Sequence, residues 1–113
     1  MATMSSRDRA RVYLRTYRDM IDRLRSIPDG DDDDAVRDRM ALRAEWDNVA
    51  ERIAQLDQMV EQGELSDAQI DEFASVACDL TALLPVLRER RYWLPDLDAL
   101  ARAAARPSAT PTS

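Results

Sequence analysis

Between Leu42 and Val60 the large apolar residues Leu42, Trp46, Val49, Ile53, Leu56 and Val60 advance by alternating steps of four and three. An α-helix returns side chains to one face at that spacing, because about 3.6 residues complete a turn. A strand would need alternation in twos. The strict seven-residue repeat describes a narrow seam suited to lengthwise packing on other helices. One helix over about residues 35–62 is therefore predicted, roughly 42 Å long at 1.5 Å per residue, with Trp46 in the core. Its start is placed at the acidic residues 31–34, which can cap free amides and meet the positive end of the helix dipole. Gly63 is its stop.

The remainder of the chain supplies packing partners for that seam. Ser5 and Ser6 precede Ala10, Tyr13, Leu14, Tyr17, Met20, Ile21 and Leu24, again in threes and fours. They predict a helix over about residues 6–26, ended by Ile27 and Pro28. Tyr13 and Tyr17 are expected in the core with their hydroxyls at the rim. Ser66 with Gln69 three residues on is a capping box, and Leu65 is placed to pack on Ile70. Phe73, Ala74, Ala77, Leu80, Leu84 and Leu87 continue one face, widened by Val76 and Leu83, so a helix over 67–92 follows. It should kink near Pro85, whose ring crowds the carbonyl of Thr81. Residues 96–106 predict a short fourth helix with Leu97, Leu100, Ala101 and Ala104 inward, and residues 107–113 a disordered tail.

Because the connection over residues 63–65 is short, the second and third helices are predicted to be antiparallel neighbours. The expected architecture is all-α: an antiparallel three-helix bundle, up-down-up, with a short fourth C-terminal helix and a disordered tail. Residues 1–106 form a single domain, since 113 residues can bury one modest core.

The chain holds no histidine, which removes nucleophile–histidine catalysis and histidine-based metal sites. Its two glycines, Gly30 and Gly63, stand alone at helix boundaries, so there is no phosphate-cradling loop. The acidic run from Asp29 does not follow a calcium loop. Asp34 occupies the sixth position, where glycine is needed, and Met40 the twelfth, where a bidentate glutamate is needed. It is expected to be a solvated, helix-capping loop. No enzymatic activity, cofactor or small-molecule substrate is expected. A single cysteine, Cys78, argues against a disulfide framework, and it is expected to be partly buried and inert. No apolar segment follows Met1 that would serve as a signal or membrane anchor, so a cytoplasmic location is expected.

Charge is segregated along the chain. Residues 6–27 carry a net +4, 28–34 a net −5, 63–84 a net −5 and 85–106 a net +2, within an overall −6. At 100° per residue Arg7, Arg11, Arg15, Arg18 and Arg25 fall within about 80° of each other beside the apolar stripe. This arginine ridge is a candidate contact for an acidic partner or for phosphates; its alternative role is to pair with the acidic third segment. Arg88, Arg90, Arg91, Tyr92 and Trp93 combine residue types enriched at binding hot spots and form the preferred partner site. The function expected is a protein–protein interaction module, such as a small subunit, adaptor or inhibitor, that presents amphipathic helix surfaces to itself or to another protein. The alternative is a nucleic-acid-binding regulator using the arginine ridge, which the overall negative charge disfavours.

Overall fold

A computed structural model describes residues 4–27 and 30–106. The predicted tail at 107–113, and Pro28 and Asp29 of the acidic loop, lie outside the described residues. Among those described the chain is helical, with no strand. It forms α1 (Ser6–Arg25), α2 (Asp33–Val49), α3 (Arg52–Glu61), α4 (Asp67–Glu89) and α5 (Leu97–Ala105).

Four helix starts follow local capping chemistry, and α3 starts after Glu51 without a side-chain cap. Ser5 accepts from the Asp8 amide at 3.1 Å, Asp32 from Ala35 at 2.8 Å and Asp96 from Ala99 at 3.1 Å. The Ser66 box closes in both directions: its Oγ accepts from the Gln69 amide at 3.2 Å, while Gln69 Oε1 accepts from the Ser66 amide at 3.1 Å. At the end of α3, Gly63 takes φ +71°, and the Glu64 amide returns to the Met59 carbonyl. The same closure ends α4 without a glycine. Arg91 sits at φ 58°, and the Tyr92 amide donates to the Leu87 carbonyl at 2.8 Å. The helix predicted over 67–92 therefore stops at Glu89. It runs unbroken through Pro85.

The helix predicted over 35–62 is two helices, parted at Ala50 and Glu51. Every seam residue is nonetheless buried or half-buried. The division has a specific cause in Tyr17 of α1. Its hydroxyl donates to the Val49 carbonyl and faces the backbone of Ile53, which favours the ionised phenol. In a continuous helix the Val49 carbonyl and the Ile53 amide would bond each other, so a phenolic oxygen is inserted in the ladder. Tyr17 is completely buried, and its hydroxyl lies inside the core rather than at the rim. Burial pushes the phenol above its ordinary range, so it remains protonated.

One apolar cluster holds all five helices, from Ala10, Tyr17 and Ile21 through Trp46 and Ile53 to Phe73, Leu80 and Leu100. Close approaches run from α1 to α4, α4 to α5, α5 to α3 and α3 back to α1, with α2 against the rest of α1. The second and third predicted helices are thus not simple neighbours. The α3 and α4 segments barely approach each other, because α5 lies between them. The molecule measures 46 × 42 × 23 Å, so its short dimension is about two helix diameters.

Candidate binding surfaces at the two ends of the fourth helix

The amino-terminal half of α1 and the first turns of α4 border an open groove of about 640 Å³. Arg7, Arg11, Arg15 and Arg18 line one wall, with Leu14 between them, and Glu72 lies on the other. The structure therefore gathers four of the five ridge arginines at one site. They differ in what they already hold. Arg18 donates to Glu72 at 2.8 Å, to Asp79 at 2.6 Å and to Ser75 at 2.7 Å. Its hydrogen bonds to Glu72 first and Asp79 second hold the guanidinium above its usual pKa. Arg25 lies 3.5 Å from the same Asp79. These two arginines are pins between α1 and the acidic helix.

Among the described residues Arg11 pairs with Asp8 alone, at 3.4 Å and largely in solvent, where such a pair contributes little. The Arg7 and Arg15 side chains make no ion pair among the described residues. Arg23, which did not stand out in the sequence, pairs with Glu45 and clamps α1 to α2. The ridge is thus divided by function. Its carboxyl end is spent on the fold, and its amino end faces solvent as a cationic groove.

At the other end of α4, residues 90–93 turn back against α2. Trp46 donates its indole N–H to the Trp93 carbonyl at 2.6 Å, and Arg43 donates to the Arg91 carbonyl at 2.7 Å. The Arg43 guanidinium also sits 5.5 Å from the centre of the Tyr92 ring. Tyr92 is buried, so it is a structural plug, and its position as a surface contact is corrected. Trp93 points out, with 61% of its surface exposed. Arg88 and Arg91 are exposed and Arg90 is partly covered. Arg90 and Tyr92 share a groove of about 250 Å³ with Val36, Arg39, Met40 and Arg43 of α2. Met40 is 68% exposed and Val36 38%. These two apolar side chains extend the site, and they lie off the Leu42 seam that dominates the sequence of α2.

A buried charge also escaped sequence reasoning. Asp57 on α3 is 5% exposed. Arg102 of α5 donates to its Oδ2 through two nitrogens, at 3.2 and 2.8 Å, and Arg106 lies 3.6 Å from Oδ1. Oδ1 itself accepts no hydrogen bond. The signal was present: Asp57 follows Ile53 by four and precedes Val60 by three, on the apolar face. A carboxylate there needs a cation from a neighbouring element. Its arrangement is that of a tie between α3 and α5.

Cys78 is exposed, against the expectation of partial burial, and its Sγ lies 3.8 Å from the Ala104 carbonyl. Asp31, Asp32, Asp33 and Asp34 are all exposed. No group of three or more Cys, Asp or Glu among the described residues is placed to hold a metal ion. No helix among them is long and apolar enough to cross a membrane. No family model matches the chain, and comparison with curated proteins and with solved structures finds no match either.

Proposed function

We propose that the chain is a non-enzymatic, cytoplasmic protein–protein interaction module, a small subunit, adaptor or inhibitor, that docks through the Trp93 end of the bundle. One observation carries this: a tryptophan 61% exposed on a turn that is fixed by the Trp46 and Arg43 hydrogen bonds. The backbone beneath the indole is already ordered, so little entropy is left to lose when a partner covers it. Tryptophan and arginine are the residues most enriched among binding hot spots. Met40 and Val36 lengthen the apolar surface along α2. The complementary partner has an apolar socket for the indole, bordered by carboxylates. The absence of histidine and of a glycine-rich phosphate loop supports a role without catalysis.

The test compares the immobilised chain with its Trp93→Ala variant in lysate of the source cells. The expected result is a protein retained by the first and lost with the second, and more than about tenfold weaker binding by Trp93→Ala when the pair is purified. Recovery of nothing, or equal recovery by both, overturns the proposal. Nucleic-acid binding along the ridge ranks second. Arg18 and Arg25 are engaged by Glu72 and Asp79, and Glu72 would itself face the phosphates.

A further inference from the structure

The cationic groove and the acidic run belong to one chain but cannot meet within one molecule. Sixteen residues of α1 and its end separate Arg11 from Ile27, roughly 24 Å at the helical rise. The acidic run lies beyond that point, at the start of α2. There Val36 and Met40 share a groove with Arg90 and Tyr92, past the carboxyl end of α4. The arginine groove is bordered by Ser66 and Gln69, at the amino end of α4. The length of α4, 23 residues or roughly 33 Å, therefore separates the two.

Both surfaces are open. Asp31, Asp33 and Asp34 are exposed, and the one ion pair they make among the described residues, Asp34 with Arg37, is 4.0 Å long with both side chains in solvent. Among the described residues the only carboxylate lining the groove is Glu72, which Arg18 already holds at 2.8 Å. Arg7, Arg11 and Arg15 remain, one turn apart on the same wall and about 6 Å from one another along the axis. We propose that this groove receives residues 31–34 of a second copy, so that molecules associate head to tail.

A second copy fits better than a nucleic acid. A nucleic acid is negative along its whole length and meets the −6 of the chain in full, whereas a second copy offers a short acidic tip on a molecule whose first helical segment is basic. The contact is heterologous, joining different patches on the two partners, and so yields open chains or a ring rather than a symmetric dimer. It does not require the Trp93 side chain, although Asp33 of the tip shares a groove with Val36 and Met40.

Sedimentation of the full chain tests it. In about 10 mM salt, where charges reach about 30 Å, association is expected, and in about 1 M salt, where they reach about 3 Å, it should vanish. Arg11→Glu with Arg15→Glu disables the groove; Asp31→Asn with Asp33→Asn and Asp34→Asn disables the tip while leaving the Asp32 cap in place. Each variant alone should associate at least about tenfold more weakly, since a required charge is reversed or removed. Mixed, they should form a one-to-one complex, because one keeps its tip and the other its groove. Circular dichroism verifies that both are folded, and Trp93→Ala should associate like the unchanged chain. A monomer at low salt, association that survives either variant, no complex on mixing, or loss with Trp93→Ala each overturns the proposal. A duplex DNA bound at low salt by a chain that stays monomeric would instead assign the groove to nucleic acid.

Discussion

Replacing Tyr17 by Phe removes a single oxygen from the centre of the molecule, and the structure fixes what should follow. The ring remains in the core, where it meets Trp46 edge-on at 6.3 Å between centroids. The Val49 carbonyl loses its donor, and the Ile53 backbone loses the polar oxygen it faces. Water cannot take the place of the oxygen, because Tyr17 is fully buried. Each hydrogen bond contributes about 1 kcal/mol net, and an orphaned buried group costs about 1–3 kcal/mol, so a loss of about 2–3 kcal/mol is expected. At about 4 °C per kcal/mol for a chain of this size, Tm should fall by about 8–12 °C.

Urea unfolding followed by far-UV circular dichroism measures the loss directly, with an unchanged dependence on denaturant if the two end states are unaltered. Tyr13→Phe is the matched control. Its hydroxyl lies 3.2 Å from Gln55 Oε1 and is only partly buried, so its removal should cost less than about 1 kcal/mol. A different outcome has a clear structural meaning. If the chain over residues 49–53 closes its own hydrogen bond, α2 and α3 fuse and little stability is lost. A loss below about 0.5 kcal/mol, or one no larger than that of Tyr13→Phe, would therefore refute the assignment of the break to Tyr17.

Four further outcomes are expected. Above about pH 10 the unfolded chain releases the Tyr17 proton that the folded chain retains, because burial raises the folded value above the unfolded one. This contribution to stability is complete below that pH and is lost above it, at about 1.4 kcal/mol per pH unit; alkaline titration of Tyr17→Phe should lack that part of the slope. Arg91→Gly should stabilise by about 0.5–1 kcal/mol in thermal unfolding, since φ 58° strains a side chain and the gain exceeds the extra freedom of glycine in the unfolded chain. Gly63→Ala should move the other way by about 1 kcal/mol, through φ alone, because nothing lies within 4 Å of the added carbon. Asp57→Asn should loosen α5 from α3, seen as about tenfold faster hydrogen exchange of the α5 amides with those of α4 less affected.

The local elements were open to sequence reasoning because their causes span a few residues. The caps at Ser5, Asp32, Ser66 and Asp96 each satisfy an amide three positions on, and such a bond depends on residue type and spacing alone. The burial of Leu42, Trp46, Ile53, Leu56 and Val60 follows likewise from a period that any packed helix must obey. At the candidate surfaces, residue types marked the segments proposed, but not which side chains face out. Tyr92 and Trp93 are equally suited to burial by composition; the left-handed residue before them and the reach of Trp46 turn one in and the other out.

The chain's own order of residues determined that it would be helical, where most helices begin and which stripes they bury. Tertiary structure decided that the second helix divides, since the oxygen responsible arrives from 32 residues away. It also decided that α5 would separate α3 from α4, which Asp57 and its two arginines secure across 45 residues and more. Finally, it decided which arginines remain available. Arg18 and Arg25 meet Glu72 and Asp79 only when α1 lies on α4, whereas Arg7 and Arg15 pair with no carboxylate among the described residues. Capping and periodicity act within a turn or two of helix, so they are written in the order of residues; a charge or hydroxyl that acts across helices has its partner chosen by packing.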